Sequence, residues 1–314
     1  MFLTVTLNTG LDRVLLIDEL LLGGPVEACK EVLCVGGKGL DVSVALCGLG
    51  LPSVGLSFMA GKNGRLLEEI ITGYGITPDS VWVQGETRVS FVIAEAKHRR
   101  VSHIKVGELL VRPEHVQELL TRFQNHLQTT RYVILAGSIP ASAGQELYLE
   151  LTRLAQAASV PVLIDSRAAE VLNTLTNPPD ILKQNWVEFN GTFGFATQTL
   201  EELKAAARQV QAKYALNALV ITCGADGILA VRPGISYRVV VPPQAAINAA
   251  GAGDAASAGL AWRLSQGDSW EEALKWCGAV SAAAVLTEAT GEVRKEDVER
   301  IYPQVEVNVS LTKA

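Results

Sequence analysis

The order of apolar patterns along the chain limits its fold more than any single motif does. Short runs rich in β-branched and aliphatic residues, at 2–7 (FLTVTL), 54–58 (VGLSF), 131–136 (RYVILA), 161–165 (PVLID), 180–183 (DILK) and 218–222 (ALVIT), read as buried strands. Between them, 39–50, 64–75, 113–127, 143–158 and 199–214 carry helical spacing, and Thr199 with Glu202 forms a capping box at the start of the last. Buried strands joined through helices pack as right-handed crossovers. The alternation therefore predicts an α/β fold, a three-layer sandwich with a mainly parallel central sheet between helices. Ligands of such a sheet bind at the carboxyl ends of its strands.

Two segments, about 11–36 and 86–107, break this rhythm: they read as extended with no helix between their strands. TRVSFVIAEA alternates, and HRR at 98–100 turns the chain into VSHIKV. They predict a small β-sheet projecting from the main one as a lid, a homodimer contact or both. No internal repeat, low-complexity tract or long linker interrupts residues 1–314, which read as a single domain. At 48% hydrophobic residues the chain has ample material for a core.

Charge and cysteine content narrow the function classes. A formal net charge of −6 gives no general attraction to nucleic acid or to an acidic membrane surface, so an anionic ligand needs a locally basic pocket. The five cysteines are odd in number, scattered and without C-x-x-C spacing, which suits small core residues in a reduced cytoplasm. The opening MFLTVTLNTGLDR has no basic region followed by an apolar one, and the apolar run 33–60 is broken by Lys38, Asp41 and Pro52. A cytoplasmic protein with no membrane partner is expected. The four histidines show no metal or triad arrangement.

Two glycine clusters carry the chemistry. In INAAGAGDAASAGL (247–260), a helical run starts at GAGD, where free N–H groups and the helix dipole favour an anion. Gly251, Ala252 and Gly253 would form that cradle; Asp254 in the first turn reads equally as a base or as a dipole-compensating cap. In CVGGKGLDVSVALCGLG (34–50), Gly36, Gly37 and Gly39 bracket Lys38, without the Walker or the G-x-G-x-x-G spacing. It reads as a phosphate-facing lysine or as a tight turn with an exposed one. LKQNWVEF (182–189) holds an N-x-x-E that by itself suits an ordinary helix cap.

Taken together these motifs resemble the two signatures of the PfkB (ribokinase-like) carbohydrate kinase family. LTVTLNTGLDR (3–13), GETRVSFVI (85–93), ILAGSIP (134–140), LIDSRAAEVL (163–172), the N-x-x-E segment and VITCGADGILAV (220–231) follow in the order of its sugar-phosphate kinase branch, which includes 1-phosphofructokinase and tagatose-6-phosphate kinase. The resemblance implies transfer of the γ-phosphate of ATP to a primary hydroxyl of a ketohexose phosphate, with fructose 1-phosphate first among the acceptors. Asp254 matches the catalytic base, and Gly251, Ala252 and Gly253 match the anion hole. Asp12, Gly37, Lys38, Gly39, Asp41, Arg88, Ser90, Gly137 and Ser138 match acceptor positions. Lys183, Asn185, Thr222, Gly224, Gly227 and Gly253 match nucleotide positions. Glu188 and Asn185 match residues that organise Mg²⁺ through water. For Arg88 a surface ion pair is the competing reading.

Three positions depart from the branch. Asp41 stands where the first signature has a sugar-binding Asn, Ser90 stands where T-R-x-N has Asn, and the opening reads LNTGLD in place of L-N-P-A-x-D. An amide both donates and accepts, an ionised carboxylate only accepts, and a hydroxyl is shorter. These changes bear on which sugar is taken, and an ionised Asp41 would repel a nearby acceptor phosphate.

Overall fold

A computed structural model describes residues 1–98, 100–107 and 109–311; Arg99, in the HRR turn, lies outside them. In chain order the elements are β1 (Phe2–Thr6), β2 (Gly10–Ile17), β3 (Lys30–Gly36), α1 (Lys38–Gly48), β4 (Ser53–Met59), α2 (Gly61–Gly73), β5 (Thr77–Trp82), β6 (Gln84–Gly85), β7 (Arg88–Glu95), β8 (Arg100–Val106), β9 (Leu109–Leu110), α3 (Pro113–Leu127) and β10 (Tyr132–Ala136). They continue with α4 (Leu147–Ala157), β11 (Val162–Asp165), α5 (Ala168–Thr174), β12 (Ile181–Asn185), α6 (Trp186–Phe193), α7 (Leu200–Lys213), β13 (Leu219–Thr222), β14 (Ile228–Arg232), β15 (Ile235–Val240), α8 (Ala252–Ser265), α9 (Trp270–Ala284), α10 (Lys295–Ile301) and β16 (Glu306–Leu311).

The main sheet has ten strands in the order β16-β15-β14-β13-β12-β11-β10-β1-β4-β5. From β5 to β13 every pair is parallel, whereas β14, β15 and β16 run antiparallel along one edge. The expected mainly parallel α/β sandwich is therefore present with an antiparallel margin. Strand pleating divides the core between the two faces. Leu3 and Val5 of β1 pack with Phe58, Phe123 and Tyr148 on one side, and Phe2 packs with Val42, Leu260 and Val280 on the other. Buried on both faces, such strands read as continuous apolar runs, which is why the sequence reveals them.

Helices α8 and α9 form part of the second face through small residues. A Cβ at Gly259 would come within 3.0 Å of Val280 Cγ2 and 3.3 Å of the Cys277 Cα, so the two helices meet almost backbone to backbone. Nine residues of α9 are buried and many are Ala or Gly, which blurs the apolar stripe that normally marks a helix. Thr199 does cap α7, its hydroxyl accepting from the Glu202 N–H at 3.3 Å.

The two irregular segments form a separate four-stranded sheet, β3-β2-β7-β8. Its middle pair, β2 with β7, is parallel and sets Gly10 beside Arg88 and Asp12 beside Ser90; the outer pairs are antiparallel. At the far end Glu95 accepts the Leu20 N–H at 2.8 Å and pairs with Arg100. No helix among the described residues is long and apolar enough to cross a membrane.

Candidate active site

The site begins with a backbone requirement. Gly251, the N-cap of α8, holds φ at +78°, and a Cβ there would run into the backbone nitrogen of Gly291. Glycine alone fits both conditions. The turn leaves Ala252, Gly253 and Asp254 in the first turn of α8, where orphan N–H groups and the positive end of the dipole gather.

Asp254 is 8% exposed. Burial, and then the charge of Asp165, push its carboxyl up to about 7, against the opposing pull of Lys38 and Lys183. A carboxylate at that value is ready to take a proton near neutral pH.

Asp165, the last residue of β11, organises the centre of the site and was not among the residues singled out from sequence. It accepts hydrogen bonds from Lys38 Nζ at 3.0 Å, Lys183 Nζ at 2.6 Å and Ser257 Oγ at 3.1 Å while only 1% exposed. Burial works to raise its pKa, but the ammonium groups of Lys183 and Lys38 outweigh that and hold it at about 2. The signal available in the sequence was position: VLID ends at the carboxyl edge of a parallel strand.

Lys38, the first residue of α1, also donates to Glu188 Oε1 at 2.8 Å. Burial opposes its charge, yet Asp165, Asp254 and Glu188 hold it above the usual lysine range. The turn before it is tight, the preceding Gly37 having φ +115°, but Lys38 is not the exposed lysine of the competing reading, since Asp165 and Glu188 hold it. A Cβ on Gly39 would strike Thr6 Oγ1 and the Val5 carbonyl, so the missing side chain lets α1 sit on β1.

The N-x-x-E residues do two jobs. Asn185 Oδ1 accepts the Glu188 N–H at 2.8 Å and Glu188 Oε2 accepts the Asn185 N–H at 3.0 Å, a complete capping box on α6. The remaining Glu188 oxygen meets Lys38. Both residues line a cavity of about 670 Å³, shared with Asp165, Lys183, Thr222, Gly224, Gly227, the 251–254 turn, Pro242–Gln244 and Val285. That volume suits a nucleotide-sized ligand. Gly224 offers open space beside its α-carbon, whereas Gly227 is pressed against the Val239 carbonyl. Gly253 has Lys183 Nζ 3.5 Å from where a Cβ would stand.

Among the described residues no group of three His, Cys, Asp or Glu side chains is arranged to hold a metal. Mg²⁺ needs no such cage, because it is commonly held by one or two carboxylates with phosphate oxygens and water. Glu188, with Asn185 beside it at the cavity wall, fits that mode.

Of the residues matched from sequence to acceptor positions, Lys38 lines this cavity, while Asp12, Arg88 and Ser90 stand on β2 and β7 of the smaller sheet. A Cβ on Gly10 would come within 2.9 Å of Arg88 Nε, and one on Gly36 would strike the Asp12 carboxylate, so both side chains lie over glycine backbone. Arg88 Nε is buried without a hydrogen-bond partner. Burial lowers the Arg88 pKa, while the charges of Asp12 and Asp41 act to raise it. This half-buried guanidinium differs from the surface ion pair considered from sequence. Ser90 is 3% exposed and Asp41 5%. Ser138 Oγ accepts from Asn8 Nδ2 at 3.0 Å, and the Gly137 carbonyl accepts from Tyr148 and Ser166, which steadies the GSIP loop beside Lys38.

The model for the pfkB family carbohydrate kinases matches residues 13–297. The chain belongs to that family. It is accordingly a phosphotransferase of the carbohydrate kinase type. The chain is 26% identical over 313 residues to a tagatose-6-phosphate kinase of Staphylococcus epidermidis, covering 98% of this chain and 99% of the relative. It is 27% identical over 307 residues to a 1-phosphofructokinase of Bacillus subtilis, with coverage of 98% and 99%. A solved structure described as a possible 1-phosphofructokinase from Thermotoga maritima superposes with a TM-score of 0.88 at 25% identity, covering 99% of each chain. Phosphofructokinase-2 of Escherichia coli, in complex with potassium, shares the fold with a TM-score of 0.86 at 20% identity, covering 97% of this chain and 98% of that one.

Proposed function

We propose that this family member is an ATP-dependent sugar-phosphate kinase that transfers the γ-phosphoryl group to a primary hydroxyl of a ketohexose phosphate, with fructose 1-phosphate as the first candidate. The observation that carries the reading is Asp254, buried at the start of α8, held at about 7 and flanked by Lys38 and Lys183 through Asp165. In this reading the Asp254 carboxylate accepts the proton of the attacking hydroxyl, and the amides of the N-cap Gly251 and of Ala252 and Gly253 stabilise charge on the transferred group. Lys38 and Lys183 supply fixed positive charge, and Thr222, Gly224 and Gly227 bound the nucleotide end. Mg²⁺ held at Glu188 and Asn185 would neutralise phosphate charge.

On the acceptor side, Asp12 receives sugar hydroxyls while Arg88 offers a planar fork to the acceptor phosphate, with Ser90 and Ser138 nearby. Residues from Lys38 to Val285 line one cavity, which supports 1–314 working as one kinase unit. The smaller sheet exposes Ile104 and Val106, and Leu21 and Leu22 are exposed just beyond β2, apolar surface that supports its use as a lid and homodimer contact. Light scattering on the purified protein tests the dimer.

The relatives named for tagatose 6-phosphate and for fructose 1-phosphate are about equally similar, so tagatose 6-phosphate stands as the second acceptor. The deciding assay measures ADP formation with Mg·ATP against fructose 1-phosphate, fructose 6-phosphate, tagatose 6-phosphate, ribose, fructose and a nucleoside. Turnover confined to one sugar phosphate supports the reading and names the acceptor. Turnover only with unphosphorylated acceptors would assign Lys38 and Arg88 other partners, and ligand binding without ADP would point to a binding protein.

A further inference from the structure

Asp41 is the buried acid whose state the proposed reaction leaves undecided. It lies one turn into α1, 5% exposed, and its Oδ1 is fully buried with no hydrogen-bond partner. A buried carboxylate oxygen left in that condition is costly, so the group either sheds its charge or meets a ligand. Its surroundings oppose the charge. Asp12 of β2 and Asp254 of α8 bring carboxylates toward it, and Cys34 of β3 and Tyr74 after α2 face it with groups that are neutral near pH 7. The loop before α10 adds backbone, with Gly291 so close that a Cβ there would lie 3.2 Å from Asp41 Cβ, and Glu292 follows. Arg88 of β7 and Lys38 of its own helix favour the ionised form, and Lys38 is already paired with Asp165 and Glu188. Burial, followed by Asp254 and Asp12, raises the Asp41 carboxyl well above its ordinary range.

We propose that Asp41 stands in the acceptor site as a neutral carboxylic acid and donates its O–H to a hydroxyl of the acceptor, acting as a specificity-determining residue. The inference rests on the sugar-phosphate kinase reading and deepens it. A neutral acid carries one donor and one acceptor, the same pair an amide presents, and it imposes no repulsion on an acceptor phosphate held by Arg88. Substrates with a hydroxyl at that position gain the hydrogen bond; deoxy analogues leave the buried acid unsatisfied.

The test compares wild type with Asp41→Asn and Asp41→Ala, following acceptor KM, ATP KM and kcat from about pH 6 to about pH 9. For wild type the acceptor KM should climb about tenfold per pH unit once Asp41 ionises, with ATP KM level. Asp41→Asn should remove that alkaline limb and overtake wild type at the alkaline end, and Asp41→Ala should raise acceptor KM about tenfold across the range. A level wild-type profile, or an alanine variant equal to the asparagine one, overturns the proposal. Infrared difference spectra of the ligand-free protein near neutral pH, wild type minus Asp41→Asn, give a second reading that needs no turnover: a protonated-carboxyl C=O component of wild type that the variant lacks, over and above the band that Asp254, held at about 7, contributes to both. Its absence would place a carboxylate at position 41 and overturn the proposal by itself. If fructose 1-phosphate and tagatose 6-phosphate neither turn over nor bind calorimetrically, the kinase reading falls and takes the hydroxyl contact with it, while the infrared band still reports the charge of Asp41.

Discussion

Replacing Asp165 by Asn tests the electrostatic argument at its centre. The amide keeps the shape of the side chain and removes the charge that Lys38, Lys183 and Ser257 share. Lys183 is 2% exposed and would lose a counter-charge 2.6 Å away. Removing one partner of such a buried pair costs about 3–5 kcal/mol, because the other ion stays buried without compensation. For a chain of 314 residues that corresponds to a fall in melting temperature of roughly 5–8 °C.

The pH dependence has a definite sign. Asp165 is held at about 2 in the folded state, below its ordinary unfolded value, so its stabilisation is present above about pH 4 and is lost as pH falls toward 2. The gap between wild type and Asp165→Asn should therefore be full at neutral pH and narrow through that acid window. Catalysis gives an independent readout. Asp165 is, after burial, the main influence raising Asp254 toward 7, so its removal leaves Lys38 and Lys183 to pull Asp254 down. The acid limb of kcat, centred near 7 in wild type, should move to lower pH in the variant whatever its absolute rate. Scanning calorimetry and a kcat profile check the two parts. A variant that melts within about 1 °C of wild type, or whose acid limb moves upward, would refute the reasoning.

Three further outcomes follow from the same geometry. Asp254→Asn should lower kcat by about two to four orders of magnitude while calorimetric ATP binding survives, as expected for loss of a general base; turnover comparable to wild type would remove Asp254 from that role. Arg88→Ala should raise acceptor KM much more than ATP KM, by roughly tenfold or more for a lost charge-assisted contact, and equal effects on both would separate Arg88 from the acceptor phosphate. Gly259→Ala should cost about 1–3 kcal/mol in denaturant unfolding, because the new methyl group meets Val280 and the Cys277 backbone; an unchanged midpoint would mean that α8 and α9 part easily.

Much of the architecture was legible because its signals are local. Most strands from β1 to β13 in the main sheet are largely apolar runs; β12 turns polar after Leu182, and in β5 TPDSVW mixes proline and acid into an edge strand and does not announce itself. Helix α3 matches its sequence span residue for residue because Pro113 marks the start and the apolar spacing runs to Leu127. Helix α9 was missed because burial among small residues on several sides erases periodicity.

The sequence by itself determined the α/β class, the two glycine-led helix starts, the Asn185–Glu188 and Thr199–Glu202 caps and the segments that form the second sheet. Each of these depends on residues within a few positions of one another. Tertiary structure alone decided that β2 pairs with β7 in parallel, since period-two alternation does not specify the direction of a partner strand. It alone brought Lys38, Asp165, Lys183, Glu188 and Asp254 to one cavity wall. The charge states of Lys38, Asp165 and Asp254 are set by burial and by distances through space, and no spacing along the chain encodes either.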